Sequence, residues 1–272
     1  AVAGALLFSL GYLLASFSGG HFAVLLASLG VIAGAGIGFG YVCPLSTGMK
    51  WFPGHKGLVT GVAVAGFGGG AILLGSLAEV LLYGRSWDVL QVFRFVGAVF
   101  GIVALVSALF IVEPPRGAAA AAAAENPGEA RLRDYAARPV FRLLCLGIFA
   151  GTFAGLVIVS DLKPMMLRFG LGERLAALSI SLFALGNIAG RIAWGRVNDR
   201  LGSRIAIPAS LAFLALALKL LLISSAAGPL LASVVLVGIG FGGCFVVYAS
   251  AMVENYGVAL FPKLYPVCFL FY

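Results

Sequence analysis

Apolar residues run through this chain in long blocks separated by short polar turns, and block length is the first constraint on what they form. A helix rises 1.5 Å per residue and needs about 20 apolar residues to cross the hydrocarbon core of a bilayer. Eight blocks read as spanning helices: Val2 to Phe17, Phe22 to Met49, Leu58 to Leu82, Val92 to Val112, Val140 to Leu162, Leu175 to Val197, Ile205 to Ser224 and Leu230 to Val253. The run from Leu260 to Tyr272 is too short to span and reads as the start of a ninth helix. Small residues recur four apart within the blocks, at Gly57 and Gly61, Gly66 and Gly70, Gly147, Gly151 and Gly155, and Gly186 and Gly190. That spacing puts them on one helix face, where they let backbones approach closely, as helices in lipid must when no hydrophobic drive holds them together.

The pattern predicts an all-α, polytopic membrane protein. It breaks between Glu113 and Arg142, where E-P-P-R-G precedes seven alanines, Ala118 to Ala124, and then E-N-P-G-E-A-R-L-R-D-Y-A-A-R-P. Prolines and clustered charge stop the preceding helix and leave nothing with which to bury a core. Three regions follow: 1–112, part of an N-terminal bundle with four helices; 113–139, a cytoplasmic linker; and 140–272, part of a C-terminal bundle with four helices and the trailing segment. The sequence G-I-G-F-G stands at Gly36 to Gly40 and again at Gly238 to Gly242, 202 residues later and in the same relative place. Repeated halves are a feature of transporter folds. The chain begins and stops inside apolar segments and reads as an interior piece of a longer protein.

Composition sharpens the class. Of 272 residues, 62% are hydrophobic and 10% charged, against about half and a quarter in a soluble domain. The net charge of +8 is distributed by position: Lys50, Lys56, Arg116, Arg131, Arg133, Arg138, Arg142, Arg196, Arg200, Arg204 and Lys263 fall on one set of loops and outnumber the opposite set, Arg85, Arg94, Lys163, Arg168 and Arg174, by eleven to five. The richer set is cytoplasmic by the positive-inside rule, so the first span runs from inside to outside. Basic residues that set orientation argue against nucleic acid as a partner. Cys43, Cys145, Cys244 and Cys268 sit in apolar stretches without metal-ligand spacing, so the expectation is free thiols, no metal and no cofactor. The glycines Gly66, Gly68, Gly69 and Gly70 lack the strand and soluble βαβ unit that a dinucleotide loop needs. Clustered Ser and His, or paired carboxylates at depth, are not found either, so an enzyme is not expected.

The stretch from Asn187 to Arg204, N-I-A-G-R-I-A-W-G-R-V-N-D-R-L-G-S-R, carries the candidate chemistry. An arginine in an apolar helix costs about 3 kcal/mol or more if it faces lipid, and normally faces a bundle interior or a water-filled path. Arg191 offers a fixed charge and a planar fork that grips a carboxylate in two places. Its alternative is an inner-leaflet arginine snorkelling from about two turns before Val197. Asn187, one turn back on the same face, can bind a ligand or orient Arg191, and equally can satisfy a helix neighbour. Trp51, Phe52, Trp87 and Trp194 fit interfacial belts. Glu79 and Lys219, near outer span ends, read as snorkelling, and Tyr41, Tyr12 and Phe67 are candidates for an aromatic pocket.

With these residues in view, the chain resembles the major facilitator superfamily, a twelve-helix fold of two six-helix halves. The turn Gly195, Asp199, Arg200, Gly202 and Arg204 is similar to that superfamily's cytoplasmic loop signature in its second-half position. On this register the chain covers about helices three to ten. Within the superfamily it looks most like the oxalate/formate antiporter family, with the monocarboxylate transporters related. The likeness is carried by Gly36 to Pro44, the loop Lys50-Trp51-Phe52-Pro53-Gly54-His55-Lys56-Gly57, the glycines from Gly61 to Gly70, and Asn187-x-x-Gly190-Arg191-x-x-x-Gly195. The resemblance implies that Arg191 binds the substrate carboxylate. Monocarboxylate transporters have an aspartate where this chain has Asn187, which argues against an Asp and Arg proton couple here.

The expectation is therefore a secondary carrier of small organic anions, mono- or dicarboxylates such as oxalate, formate and lactate, working by alternating access with exchange favoured. It would act as a monomer in a plasma or inner membrane, with the lipid bilayer and a small organic anion as its partners. Substrate binding falls to Arg191, Asn187 and Tyr41; a conformational latch falls to Gly195, Asp199, Arg200, Gly202 and Arg204, with Asp199 capping or pairing across cytoplasmic helix ends. A drug or sugar carrier with a structural Arg191, and a non-transporting membrane receptor or assembly subunit, stand as alternatives.

Overall fold

The structure, a computed structural model, describes residues 1–115 and 132–272. Every regular element among them is helical: α1 (Val2–Ser16), α2 (Phe22–Trp51), α3 (Lys56–Gly84), α4 (Val89–Leu109), α5 (Leu132–Ala136), α6 (Pro139–Ser160), α7 (Leu162–Arg168), α8 (Glu173–Leu201), α9 (Ser203–Ile223), α10 (Ala227–Tyr256) and α11 (Phe261–Phe269). Seven of these, α2, α3, α4, α6, α8, α9 and α10, are long and apolar enough to cross a membrane. This is the all-α polytopic architecture that the hydrophobic blocks predict, and the ends agree with them to within about four residues. Most of the linker, 116–131 with its alanine run, lies outside the described residues.

The first block forms α1, 15 residues from Val2 to Ser16. It stops at Ser16, whose hydroxyl donates back to the Leu13 carbonyl at 2.7 Å, and the chain then turns through Gly19 and Gly20 at φ +59° and +83°.

The chain packs as two compact units. The first holds Ala1–Trp51 with 70–115. In it α1 lies against α2 and α4: Gly36 backs onto the Phe8 amide, and the Ser9 hydroxyl donates to the Gly97 carbonyl at 2.7 Å. Leu81, Val92 and Val96 bury an apolar centre between α3 and α4, ringed by Phe8, Tyr12, Phe95 and Phe100.

The second unit holds Phe52–Gly69 with 132–272. Its centre is α10, buried along most of its length by α8 on one side and α9 on another. Contact with α8 is backbone to backbone: a Cβ on Gly186 or Gly190 would meet the Val235 or Ile239 carbonyl, and one on Gly238 or Gly242 would meet the Phe183 or Asn187 carbonyl, all within 2.4 Å. The four-apart glycines of both helices thus form one seam, worth its contact area in dispersion alone. Residues 52–69 belong to the N-terminal part of the sequence yet pack here, along α8.

Candidate functional site

The candidate site is built where the start of α3 runs along α8. Gly57, Gly61, Val64 and Gly68 repeat every three to four residues and so form one stripe on α3. Along this stripe a Cβ on Gly57 would lie 2.3 Å from the Gly195 carbonyl, and one on Gly61 would lie 2.3 Å from the Arg191 carbonyl. The approach is reciprocal, since a Cβ on Gly195 would lie 2.3 Å from the Gly57 carbonyl. Only hydrogen fits at these positions, and the absence of side chains is what brings the next residue, Arg191, onto α3.

Arg191 is 8% exposed. Its Nη1 donates to the Val64 carbonyl, and its guanidinium carbon stands 4.8 Å from the centre of the Phe245 ring, supplied by α10. The α8 helix continues to Leu201, about 15 Å beyond Arg191 at 1.5 Å per residue. Burial against the Val64 carbonyl and the Phe245 ring encloses the guanidinium within the unit. Asn187, half-buried one turn earlier, has a buried Oδ1 for which the described residues supply no hydrogen bond. A buried acceptor left open is rare enough to call for an explanation. Tyr41 is half-buried on α2 in the first unit, whereas Asn187 and Arg191 share α8 in the second.

The turn residues resolve into different jobs. Asp199 accepts from the Gly57 amide at 2.6 Å and the Leu58 amide at 2.8 Å. These are first-turn donors of α3, which no helical carbonyl satisfies, and an anion placed there also meets the positive end of the helix dipole. The cap therefore comes from 142 residues away in sequence. Gly202, at φ +75°, alone separates α8 from α9; its amide closes α8 on the Asn198 carbonyl at 2.8 Å. Arg200 and Arg204 are exposed, and among the described residues neither forms an ion pair.

Sequence reading missed Glu254. Its carboxylate accepts from Asn198 Nδ2 at 3.0 Å and from the Ser203 amide at 3.1 Å, so it caps α9 and holds the α8–α9 corner. A signal was available, because Glu254 lies in the last turn of α10, where the helix dipole disfavours an anion unless a neighbour uses it. Phe245 carried no such signal within its apolar run. Trp194 corrects an expectation: it is 9% exposed and packs on Gly243 and on Phe213, 5.8 Å between ring centres, instead of lying in an interfacial belt. Glu79 and Lys219 are exposed, as side chains reaching for an interface would be.

Seven spanning helices, an enclosed intramembrane arginine and a carboxylate-capped glycine turn define a multi-pass α-helical membrane protein. The chain belongs to the Major Facilitator Superfamily, whose sequence model matches residues 1–261. It is similar to the oxalate:formate antiporter of Oxalobacter formigenes, 26% identical over 247 residues, covering 88% of this chain and 57% of that protein. It is also similar to the uncharacterised MFS-type transporter YhjX of Escherichia coli (strain K12), 24% identical over 271 residues, covering 99% of this chain and 67% of that protein. A shorter likeness, 44% over 61 residues, covers 22% of this chain and 11% of apicoplast pyruvate carrier 1 of Toxoplasma gondii. The chain thus spans little more than half the length of the first of these relatives.

Proposed function

We propose that this protein is a secondary carrier of small organic anions, mono- or dicarboxylates, which it exchanges across a plasma or inner membrane as a monomer by alternating access. The observation that carries the reading is the enclosed guanidinium of Arg191. Away from water a fixed positive charge is costly, and a carboxylate that neutralises it with two parallel hydrogen bonds removes that cost. The loaded site then changes state more readily than the empty, charged one, which favours exchange. Asn187 and Tyr41 are the further substrate residues in this reading; the open hydrogen-bonding position on the Asn187 amide, one turn from Arg191, supports the first. Gly195, Asp199, Arg200, Gly202 and Arg204 form the latch, with the Asp199 cap on α3 as the contact that parts during the cycle. Relatives whose names specify oxalate and formate, or pyruvate, agree with an anionic substrate.

The test is exchange of labelled oxalate, formate and lactate against internal carboxylates in proteoliposomes. Exchange by the parent that is abolished in Arg191→Gln and weakened in Arg191→Lys is expected, because lysine keeps the charge and loses the planar fork. A second reading is a drug or sugar carrier in which Arg191 is structural; the contacts of its guanidinium with Val64 and Phe245 favour it. Carboxylate exchange untouched by either substitution removes Arg191 from the mechanism, and no exchange in a folded parent selects the drug or sugar carrier.

A further inference from the structure

We infer that the Val64 carbonyl and Gly68, both on α3, form the exchange face of the Arg191 site: an entering carboxylate takes Nη1 from the Val64 carbonyl, approaching over Gly68, where no Cβ stands against that nitrogen. This rests on the carboxylate reading above and specifies how the site is filled and what limits the substrate.

Three observations carry it. Val64 and Gly68 are one turn apart on the stripe that faces α8, so the carbonyl and the glycine flank the same guanidinium nitrogen. Nη1 already donates to that carbonyl, which is a neutral acceptor occupying the direction a carboxylate oxygen would take. An ionised acceptor makes a hydrogen bond roughly twice as strong as a neutral one, so a carboxylate displaces it. The displaced carbonyl is not orphaned, because the helical ladder gives it the Gly68 amide. The third observation separates Gly68 from the other glycines of the stripe. Gly57 and Gly61 abut the backbone of α8, and a Cβ there would clash at 2.3 Å. At Gly68 the nearest atoms to a Cβ would be Ile188 Cγ1 at 3.1 Å and Arg191 Nη1 at 3.5 Å. A methyl there would press on Ile188 and stand in van der Waals contact with Nη1, so glycine is what keeps that nitrogen approachable. The side chain that bounds this approach is Ile188, one turn from Arg191 on α8.

The measurement is KM and kcat for exchange of formate, oxalate and lactate by the reconstituted parent, Gly68→Ala and Ile188→Ala. Gly68→Ala is expected to raise KM for oxalate and lactate roughly tenfold, the usual effect of one methyl in a pocket. Formate should be the least affected, and kcat nearly unchanged. Ile188→Ala widens the same approach from the other side, so preference shifts towards lactate, and this variant decides the matter if Gly68→Ala does not fold. A parent that exchanges carboxylates while neither variant alters relative KM across the series overturns the exchange face and leaves the carboxylate reading standing. A folded parent that exchanges none of the three overturns the reading itself.

Discussion

An arginine in a spanning helix is tolerated either by reaching water or by being enclosed with partners, and the surroundings of Arg191 separate the two. It stands about 15 Å before the end of α8, 8% exposed, on the Phe245 ring and the Val64 carbonyl. A desolvated cation over an aromatic face is worth about 2 kcal/mol. Phe245→Leu keeps the site apolar and removes the ring, so we expect the guanidinium to lose its fixed pose. The carboxylate KM should rise roughly tenfold and Tm should fall by a few degrees; unchanged KM would show that the ring only fills space. Arg191 itself was legible in the sequence, because charge in an apolar block stands out. Phe245 was not, since one phenylalanine among apolar neighbours differs from the next only by what it touches.

At the scale of elements, two carboxylates cap helices other than their own. Asp199 of α8 caps α3, and Glu254 of α10 caps α9. Losing a cap costs about 1–2 kcal/mol. Glu254→Gln keeps an acceptor for the Ser203 amide, so a modest fall in Tm is expected; Asp199→Ala leaves two α3 amides without their acceptor and should lower Tm further. Thermal unfolding in detergent checks the order, and equal effects would contradict it. The α3–α8 contact gives a second test. Gly195→Ala and Gly57→Ala each force the helices apart, at about 1–3 kcal/mol apiece. One separation admits both methyls, so the double variant should cost less than the sum of the single ones. Sequence spacing showed that Gly57 and Gly61 share a face; that the face meets α8 was not readable, because glycine spacing names no partner.

At the scale of the whole molecule, sequence patterning and tertiary contacts divide the account. In the first unit Lys50, at the end of α2, pairs with Glu113 beyond α4, while the Trp51 indole donates to the Val112 carbonyl at 2.8 Å. The hydrogen bond from Lys50, and then its charge, hold the Glu113 carboxyl below its usual 4.5. A depressed carboxylate pKa stabilises the fold above the unfolded value, and that stability is lost as pH falls through the folded one. The Tm advantage of the parent over Glu113→Gln should therefore be present at pH 7 and shrink below about pH 4.5; it should be small throughout, because the pair is exposed to solvent. An advantage that grows on acidification would reverse the assignment. The amino-acid sequence alone determined that this is an all-α membrane protein, where its helices lie, and that Arg191 and the Asp199 turn are its chemically unusual residues. Those properties follow from local composition and from the cost of exposing polar groups to lipid. Only the tertiary structure decided that residues 52–69 pack along α8, and that Val64, Phe245 and Glu254 meet the polar groups of that helix. These depend on which small residues face each other across the fold, and such contacts are made between positions far apart in the chain.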